Sequence, residues 1–284
     1  MIVQSATGPE APFTLTGKTA IVTGGARGIG RAIVLLLSSA GANVLTTDVD
    51  QEALEEAQSL VRHPGRVTSI RGDLLDSSFH QQVVDAALER FQSIDIIVNC
   101  AGFSWDNVIQ KTSDEQFLAM LDIHVVAPFR LLRAASSYLR ETAKKELAAG
   151  QRVMRKVVNI TSISGTDGNA GQAGYGAGKA GVIGLTKTLA KEWGRYNINV
   201  NAVGFGLIQT RMTQPLRPEG KINLGGKDIP IGVQPAMLDS AAEECPLGRI
   251  GTPEEAAGAV LFFCSPLSDY VTGEVLICSG GYHF

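Results

Sequence analysis

The stretch TAIVTGGARGIG, residues 19–30, decides how this chain folds. Its β-branched and apolar start predicts a buried strand from Thr19 to Val22. Gly24 and Gly25 follow this strand, and Gly28 and Gly30 open an amphipathic segment that predicts a helix over residues 28–40. A strand, a glycine-rich turn and a helix in this order are typical of the phosphate-binding unit of a nucleotide-binding α/β fold.

The same alternation of strand and helix patterns continues along the chain. Predicted strands cover residues 43–47, 67–70, 94–99, 157–161, 197–203 and 274–277. Predicted helices cover residues 51–61, 77–91, 120–147, 175–193 and 253–263. Strands rich in valine and isoleucine that alternate with helices specify a parallel sheet covered on both faces. The sequence therefore predicts a Rossmann-type α/β fold, a doubly wound parallel sheet in three layers, as a single domain over residues 15–284.

Composition and charge narrow the possible function classes. The chain has 284 residues with 25 basic and 28 acidic side chains, and it has no basic block that could neutralise a run of phosphates. We therefore expect no nucleic-acid partner. No segment approaches the roughly 20 apolar residues needed to span a membrane. Residues 1–14 lack the apolar stretch of a signal peptide, so we expect a short N-terminal tail and no membrane partner.

The cysteines and the two irregular segments give further expectations. Four cysteines and four histidines show no spacing typical of a metal site or a disulfide framework, which indicates no metal and a reducing, cytoplasmic location. Residues 148–155 are expected to form a surface loop. Residues 213–245 mix prolines and glycines with apolar residues and are expected to form a substrate lid. The apolar residues that suggest an apolar substrate there are Ile222, Leu224, Ile229, Ile231, Val233, Met237 and Leu238.

The glycine turn predicts a dinucleotide site. Glycine adopts the unusual φ of a tight turn and lets a pyrophosphate approach the backbone, while the N-terminus of the helix attracts phosphate. Asp48 ends the second predicted strand about 20 residues past the glycines, where its carboxylate can accept hydrogen bonds from ribose hydroxyls. That carboxylate would repel a 2′-phosphate, so NAD is expected and NADP is less favoured, although Arg27 could hold such a phosphate. In the alternative interpretation Asp48 only caps the next helix.

Tyr175 and Lys179 predict a proton-transfer site. They lie four residues apart on a predicted helix and therefore share one face, although an ordinary amphipathic face is the alternative. A tyrosine with a pKa of about 10 is a poor base unless its phenolate is stabilised. We expect the charge of Lys179 to lower the pKa of Tyr175, which could then exchange a proton with the reacting oxygen.

Several hydroxyl groups could assist at the same edge of the sheet. Ser162 follows the strand predicted over residues 157–161, at the carboxyl end where open α/β folds place their ligands. Thr161 and Ser164 also present hydroxyls, and spacing alone does not choose between the three.

Together these motifs resemble the short-chain dehydrogenase/reductase family. The residues that carry the resemblance are Thr23-Gly24 with Gly28 and Gly30, Asn99-Cys100-Ala101-Gly102, Ser162, and Tyr175 with Lys179. Residues 159–212 and the ending over residues 271–281 look most like 3-oxoacyl-acyl-carrier-protein reductases. The resemblance implies an NAD(P)-dependent oxidoreductase acting on CH–OH groups. It also selects Ser162, thirteen residues before the tyrosine, among the hydroxyls.

The resemblance assigns roles to further residues. Lys179 would also hold the nicotinamide ribose, and Asp73 would contact adenine unless it is only a turn residue. The expected catalytic residues are Ser162, Tyr175, Lys179 and His124. The expected cofactor-binding residues are Gly24, Arg27, Gly28, Ile29, Gly30, Asp48, Asp73, Leu74, Asn99, Ala101, Gly102, Tyr175, Lys179, Gly206, Ile208 and Thr210.

Two residues depart from the pattern of the family. His124 stands where members usually carry an asparagine that anchors a relay water. An imidazole can bind water but can also titrate near neutral pH, so we expect His124 to keep the relay and change its pH dependence. A packed histidine without a role is the alternative. Phe205 replaces a proline before the nicotinamide-binding backbone. Gly206, Ile208 and Thr210 still match, so cofactor binding is expected to survive.

The sequence therefore predicts an NAD-dependent enzyme that interconverts a secondary alcohol and a ketone. Its small-molecule substrate would be a 3-hydroxyacyl thioester, a cyclic alcohol or a steroid. The alternatives are an NADPH-dependent 3-oxoacyl-acyl-carrier-protein reductase and a catalytically lapsed nucleotide-binding protein. Glycines are unfavourable inside helices, and their number in the helix over residues 175–193 indicates close packing. In the resembling family this helix forms a subunit interface, which implies a homo-oligomer, a tetramer or a dimer.

Overall fold

The computed structural model describes residues 13–215, 220–224, 227–233 and 243–283. Its main strands are β1 (Thr19–Thr23), β2 (Asn43–Asp48), β3 (Val67–Arg71), β4 (Ile96–Asn99), β5 (Arg155–Ser162), β6 (Ile198–Phe205) and β9 (Val275–Cys278). They form one seven-stranded sheet in the order β3-β2-β1-β4-β5-β6-β9, and every neighbouring pair is parallel. The predicted Rossmann-type single domain is confirmed.

Helices cover both faces of this sheet. They are α1 (Gly28–Ser39), α2 (Gln51–Ser59), α3 (Phe79–Phe91), α4 (Asp114–Leu121), α5 (Ala127–Ala148), α6 (Ile163–Thr166), α7 (Ala173–Trp193) and α8 (Pro253–Cys264). Successive residues of β1 point to opposite faces, so Ile21 packs in one apolar cluster while Ala20 and Val22 pack in the other. This is why the strand is apolar at consecutive positions.

The sheet topology determines where a ligand can bind. Because all seven strands are parallel, their carboxyl ends meet at one edge. The strand order reverses between β1 and β4, which leaves a crevice at this edge where open α/β folds bind their ligands. The glycine turn follows β1, while Asp48 and Ser162 end β2 and β5. The topology therefore brings the predicted motifs to one place.

The helical region predicted over residues 120–147 begins earlier and is not continuous. Ser113 caps α4 in a capping box with Gln116, a start signal that the apolar pattern alone did not show. Residues Asp122–Val126 then form one π-helical turn before α5 begins. Such turns are rare in proteins, and those that do occur often lie at functional sites. Here the turn contains His124.

The segment predicted to be a lid contains regular structure. Strands β7 (Lys221–Leu224) and β8 (Lys227–Pro230) pair antiparallel, which the sequence did not predict. Ile229 and Ile231 are buried, and Ile229 joins the apolar cluster that includes Phe103. The side chains of Met237 and Leu238 lie outside the described residues, as does the predicted tail up to residue 12. Whether the segment covers a substrate stays a prediction.

Other expectations concern the chain outside the sheet. Helix α5 ends at Ala148 and β5 begins at Arg155, so the residues between them form a connection, as predicted. All four cysteines are free thiols. Within the described ranges, no group of His, Cys, Asp or Glu side chains could hold a metal ion. None of the helices in that part of the chain is long and apolar enough to cross a membrane.

Candidate active site

The glycine turn after β1 is shaped by backbone contacts. Gly24 has φ 69° and Gly28 has φ 51°, conformations that side chains disfavour. A Cβ on Gly24 would lie 2.7 Å from the Cα of Ala101, and a Cβ on Gly30 would collide with the carbonyl oxygen of Gly24. The turn therefore has no room for side chains at these positions, which is what close approach of a pyrophosphate requires.

The start of α1 faces the same turn. No side chain in the described ranges caps this helix at Arg27, so its first backbone N–H groups point into the turn. The methyl group of Thr210 lies 3.3 Å from the place of a Cβ on Gly28, which brings the loop after β6 over the turn. Ile29 packs half-buried against the apolar cluster below. These features fit a dinucleotide phosphate.

Asp48 is anchored beside the glycine turn. Its carboxylate accepts hydrogen bonds from the backbone N–H groups of Ala26 at 3.2 Å, Val49 at 2.8 Å and Asp50 at 3.3 Å. Burial nevertheless raises the pKa of Asp48 above its ordinary value. The helix-cap interpretation of Asp48 is wrong, because Asp50 caps α2 by accepting from the N–H of Ala53 at 3.1 Å. Asp48 is therefore not the cap of α2, and its predicted contact with a ribose stays open.

The guanidinium of Arg27 is bound to a second carboxylate. Its Nη2 and Nε lie 2.9 and 3.2 Å from the same oxygen of Asp50, Oδ2. The cation that could hold a 2′-phosphate is therefore paired with an acidic residue of the neighbouring loop.

The loop after β4 packs on the glycine turn. The hydroxyl of Thr23 accepts from the N–H groups of Cys100 at 3.0 Å and Ala101 at 3.1 Å, which holds Ala101 against Gly24. The Asn99 side chain is buried and its amide donates to Asn159 at 2.8 Å. The amide nitrogen of this side chain is therefore engaged with β5, and the ribose contact that we expected of residue 99 stays a prediction.

The remaining predicted cofactor residues lie around the same crevice. Asp73 accepts from the N–H of Leu75 at 2.8 Å in the turn after β3, so its turn role is present whether or not it also contacts adenine. Leu74 is buried and lines a small cavity with Ala101. A Cβ added to Gly206 would lie only 2.8 Å from the Cβ atom of Ser279. Ile208 is buried and bridges to Gly251.

The three predicted catalytic residues meet at the end of β5. The hydroxyl of Ser162 lies close enough to Tyr175 to lower the pKa of its phenol, and it also lies 3.4 Å from the carbonyl oxygen of Phe205. The Nζ of Lys179 lies 5.6 Å from the centre of the Tyr175 ring and donates to the carbonyl oxygen of Ile160 at 2.9 Å. The hydroxyl of Thr161 donates to the backbone carbonyl of Lys179 at 2.7 Å. Thr161 is thereby committed to the backbone, and the hydroxyl that faces Tyr175 belongs to Ser162.

The protonation of this cluster differs from our expectation. Burial raises the pKa of Tyr175 to about 12, opposed by the hydrogen bond from Ser162. Burial also lowers the pKa of Lys179 to about 8. The expected lowering of the Tyr175 pKa by Lys179 is wrong for this arrangement, because burial dominates and the ammonium is directed at Ile160. Tyr175 is therefore a neutral phenol near pH 7, ready to donate a proton.

His124 packs directly against Tyr175. The two ring centres are 5.0 Å apart with perpendicular planes, and His124 Nε2 donates to the carbonyl oxygen of Phe103 at 2.8 Å. The Nδ1 atom is buried without a hydrogen-bond partner among the described residues. Burial and then the charge of Lys179 hold the pKa of His124 well below its ordinary value. Our expectation that His124 titrates near neutral pH is wrong, because a neutral ring is the stable form here.

The glycines of α7 are explained inside the chain. A Cβ on Gly178 would lie 2.9 Å from the carbonyl oxygen of Met120, and one on Gly181 would lie 2.8 Å from a methyl of Val125. These glycines let α7 approach α4 and the π-helical turn, which places Tyr175 against His124. Among the α7 glycines, only Gly184 has open space beside it: an added Cβ there would meet no atom of the described ranges within 4 Å. The homo-oligomer therefore stays a prediction from the family resemblance.

A polar chain beside the site was missed by the sequence interpretation. Gln172 donates to the carboxylate of Asp106 at 2.6 Å and accepts from the hydroxyl of Ser164 at 2.7 Å. The N–H of Ser164 in turn donates to Ser162 at 3.2 Å. Asp106 and Gln172 come from separate loops, so no local pattern predicts their contact. The only signal was the position of Gln172, three residues before Tyr175.

The chain is similar to known oxidoreductases over nearly its whole length. Residues 24–283 match the family described as enoyl-(acyl carrier protein) reductase. The chain is 34% identical over 271 residues to the 3-oxoacyl-acyl-carrier-protein reductase FabG of Thermotoga maritima, which covers 94% of this chain and 98% of that protein. It is 33% identical over 273 residues to the 2-dehydro-3-deoxy-D-gluconate 5-dehydrogenase of Bacillus subtilis, which covers 95% and 96% respectively.

A solved structure shows the same fold. It is described as a short-chain dehydrogenase/reductase, a glucose/ribitol dehydrogenase from Brucella melitensis. The two structures agree with a TM-score of 0.80 at 28% identity, over 95% of this chain and 98% of the other.

Proposed function

The chain belongs to the short-chain dehydrogenase/reductase family, and we propose that it is an NAD-dependent member that interconverts a secondary alcohol and a ketone. The coarser statement, an oxidoreductase acting on CH–OH groups, follows from the family itself. The observation that carries the proposal is the meeting of Ser162, Tyr175 and Lys179 beside the glycine turn. A reducing, cytoplasmic location and a homo-oligomeric state stay predictions from the sequence.

The proposed reaction needs a proton at the substrate oxygen. When bound, NAD supplies the hydride acceptor for oxidation, and its reduced form supplies the hydride for reduction. In the reduction direction, the neutral phenol of Tyr175 donates its proton to the carbonyl oxygen. The Ser162 hydroxyl binds the same oxygen and orients it toward Tyr175. In the oxidation direction, Tyr175 takes the alcohol proton only when a nearby positive charge lowers its pKa.

Lys179 has two tasks in this proposal. Its Nζ is held by the carbonyl oxygen of Ile160, so its position is set by the end of β5. From there it can donate to ribose hydroxyls. A pKa of about 8 keeps Lys179 mostly protonated near neutral pH, and its charge also favours the neutral ring of His124.

The preference for NAD rests on Asp48. Three backbone N–H groups hold its carboxylate at the end of β2, next to the glycine turn. A carboxylate there accepts from both ribose hydroxyls of adenosine and repels a 2′-phosphate. The names of the relatives do not state a cofactor, so this preference is our own inference.

The substrate class is proposed from the walls of the site. Trp105, Met212 and Tyr175 are partly buried against the apolar cluster that contains Phe103 and Ile229. Because Tyr175 belongs to the site, we propose that these neighbours form apolar walls, which suit a substrate with an apolar portion next to the reacting carbon, such as a 3-hydroxyacyl thioester or a cyclic alcohol. The second candidate is an NADPH-dependent 3-oxoacyl-acyl-carrier-protein reductase. The neutral phenol of Tyr175 favours it because that protonation state serves reduction directly.

Steady-state absorbance of the nicotinamide tests these proposals. NAD and NADP, and their reduced forms, are each offered with 3-hydroxyacyl and 3-oxoacyl thioesters, cyclic alcohols and ketones. We expect turnover with NAD on one of these classes. Faster turnover with NADPH and a 3-oxoacyl thioester would replace the first candidate by the second.

A variant of the tyrosine separates an enzyme from a lapsed binding protein. Tyr175→Phe should lose turnover by roughly 10²- to 10⁴-fold and keep its affinity for NAD. Tyr270→Phe is the control, because Tyr270 is 99% exposed and is not one of the predicted catalytic or cofactor-binding residues. NAD binding without turnover in the unmodified protein, across all substrates and both directions, would contradict the enzyme proposal.

A further inference from the structure

Asp50 uses its two carboxylate oxygens for two different tasks. Oδ1 accepts from the N–H of Ala53 and caps α2, which fixes the carboxylate on the helix. Oδ2 accepts from both Nε and Nη2 of Arg27. Burial is the largest single influence and raises the pKa of Asp50, but the hydrogen bonds from Ala53 and Arg27 and the neighbouring positive charges together outweigh it, so this pKa lies below its ordinary value. The carboxylate is therefore charged and fixed in place.

Arg27 lies where it could meet a phosphate on the adenosine ribose. It occupies the N-cap position at the start of α1, and the N–H of the neighbouring Ala26 donates to Asp48. A ribose bound to Asp48 would therefore lie close to the Arg27 side chain. An arginine there would bind a 2′-phosphate through its fork of donors. In this structure, two of those donors already point at Asp50.

We propose that Asp50 is a specificity-determining residue that withholds Arg27 from an adenosine 2′-phosphate. The inference rests on the proposed cofactor site and adds a second layer to it: Asp48 repels the phosphate, and Asp50 occupies the arginine that would otherwise bind it. Arg27 and Asp50 are each partly exposed, with side chains 42% and 35% accessible. Release of Arg27 should therefore strengthen NADP binding only roughly two- to fivefold.

The effects of two other cationic side chains near this edge on phosphate binding must be distinguished from that of Arg27. Arg71 donates from its Nε to the carbonyl oxygen of Val49 at 3.1 Å, and Arg211 acts on Asp50 through its charge. Removing the Asp50 charge could strengthen phosphate binding through any of them. A double-mutant cycle between Asp50 and Arg27 isolates the pair.

The experiment measures dissociation constants of NADP and NAD by titration calorimetry. Asp50→Asn keeps the helix cap, because asparagine caps as well as aspartate, and it removes the charge. We expect Asp50→Asn to bind NADP two- to fivefold more tightly, as estimated for an exposed pair, with NAD unchanged. In the Arg27→Ala protein, the same Asp50→Asn change should leave NADP binding unaltered. The cycle is repeated with Asp48→Ser, where the repulsion is removed and weak NADP binding becomes measurable.

A neighbouring ion pair provides the matched control. Arg31 and Glu56 form a 2.7 Å pair between α1 and α2, so Glu56→Gln removes an acidic partner of the same kind. It should leave the affinities for both cofactors unchanged. An equal gain in NADP affinity from Asp50→Asn with and without Arg27 would overturn the inference, because it would reflect net charge alone. No gain in either background would also overturn it.

The outcome is distinguishable from failure of the proposed cofactor. If the unmodified protein binds NADP as tightly as NAD, the proposed preference fails, whatever Asp50→Asn does. If the protein prefers NAD and the cycle shows no coupling, Asp48 alone explains the preference and the role of Asp50 is excluded. Coupling in the cycle supports the role of Asp50 in both cases.

Discussion

The glycine turn and the Tyr175 cluster, which consists of Ser162, Tyr175, Lys179 and His124, lie at the same edge of the sheet. They are nevertheless shaped by different forces. In the turn, the decisive contacts are between backbone atoms, as at Gly24 and Gly30. In the cluster, they are between titratable side chains removed from water, as at Tyr175 and Lys179. Local geometry followed from residue type in the first region. In the second, residue type identified the participants but not their protonation.

This difference has a general cause. A glycine requirement depends on φ and on the nearest backbone, which a short motif largely specifies. A pKa depends on every neighbour that excludes water or carries charge, whatever its distance along the chain. The Tyr175 cluster collects neighbours from β5, α7 and the π-helical turn.

Gly30→Ala tests the steric half of the contrast. The added Cβ would collide with the carbonyl oxygen of Gly24, so the turn must open. We expect the free energy of unfolding to fall by about 1–3 kcal/mol and NAD binding to weaken strongly. Urea denaturation and cofactor titration measure the two effects.

A glycine without neighbours serves as its control. Gly258 is exposed inside α8, and nothing described lies within 4 Å of an added Cβ. Gly258→Ala should raise the free energy of unfolding by up to about 1 kcal/mol, because alanine favours helix. Equal losses in both variants would show that the turn is not the special case.

The pH dependence of stability tests the electrostatic half. Burial lowers the pKa of Lys179 from 10.5 to about 8. Between these values the unfolded chain keeps a proton that the folded protein has lost, so the free energy of unfolding rises with pH. We expect the free energy of unfolding of the unmodified protein, relative to that of Lys179→Met, to rise by up to about 1.4 kcal/mol per pH unit from pH 8 to 10. The difference between the two proteins is used because the buried thiols of Cys100 and Cys264, whose pKa values burial raises, act in the opposite direction in both. Below pH 8 both states are protonated and this contribution is flat.

Comparison with a surface lysine isolates the effect of burial. Lys187 lies exposed on the same helix, so Lys187→Met removes one lysine and leaves the Tyr175 cluster intact. Urea denaturation of the three proteins at several pH values gives the differences. A Lys179→Met curve parallel to that of the unmodified protein would mean that Lys179 is not desolvated.

His124→Asn tests whether a histidine in this cluster titrates during catalysis. Burial keeps its ring neutral, so kcat/KM should show no change that belongs to His124 between pH 5 and 7. We expect the variant to have the same pH profile. Its rate should fall by roughly fivefold or less, the scale of one hydrogen bond. An acid limb that is present in the unmodified protein and disappears in the variant would contradict the neutral assignment.

Asp106→Asn tests the smallest effect in the cluster. The charge of Asp106 raises the pKa of Tyr175, so its removal lowers that pKa. The rise of the oxidation rate with pH should move to lower pH by less than about one unit, because Asp106 is exposed. Asp85→Asn, on the exposed face of α3, controls for the loss of one charge. A shift to higher pH would show that the bond from Gln172 to Asp106 matters more than the charge.

Much of the fold was predictable because its signals are local. Apolar runs such as Thr19 to Val22 mark strands, and seven of them combine into the sheet that the alternation predicts. The start of α4 was missed because its signal is a capping box at Ser113 and Gln116, without a clear apolar face. Strands β7 and β8 were missed because prolines and glycines surround them.

The candidate site was predictable only as a list of participants. Tyr175 and Lys179 share a helix face, and Ser162 ends a strand, so their meeting follows from helical and sheet periodicity. The contact between Gln172 and Asp106 joins residues 66 positions apart, and the pair of Arg27 with Asp50 joins residues 23 apart. No periodic pattern connects such positions.

Residue types and spacing alone were enough for the parallel sheet, the glycine turn and the choice of Tyr175, because these depend on backbone sterics and on periods of two and 3.6 residues. The packed structure was needed to establish that Thr161 is committed to α7, that His124 is neutral and that Tyr175 keeps its proton. Those properties depend on how much water and charge surround each group, and only the assembled fold brings those surroundings together.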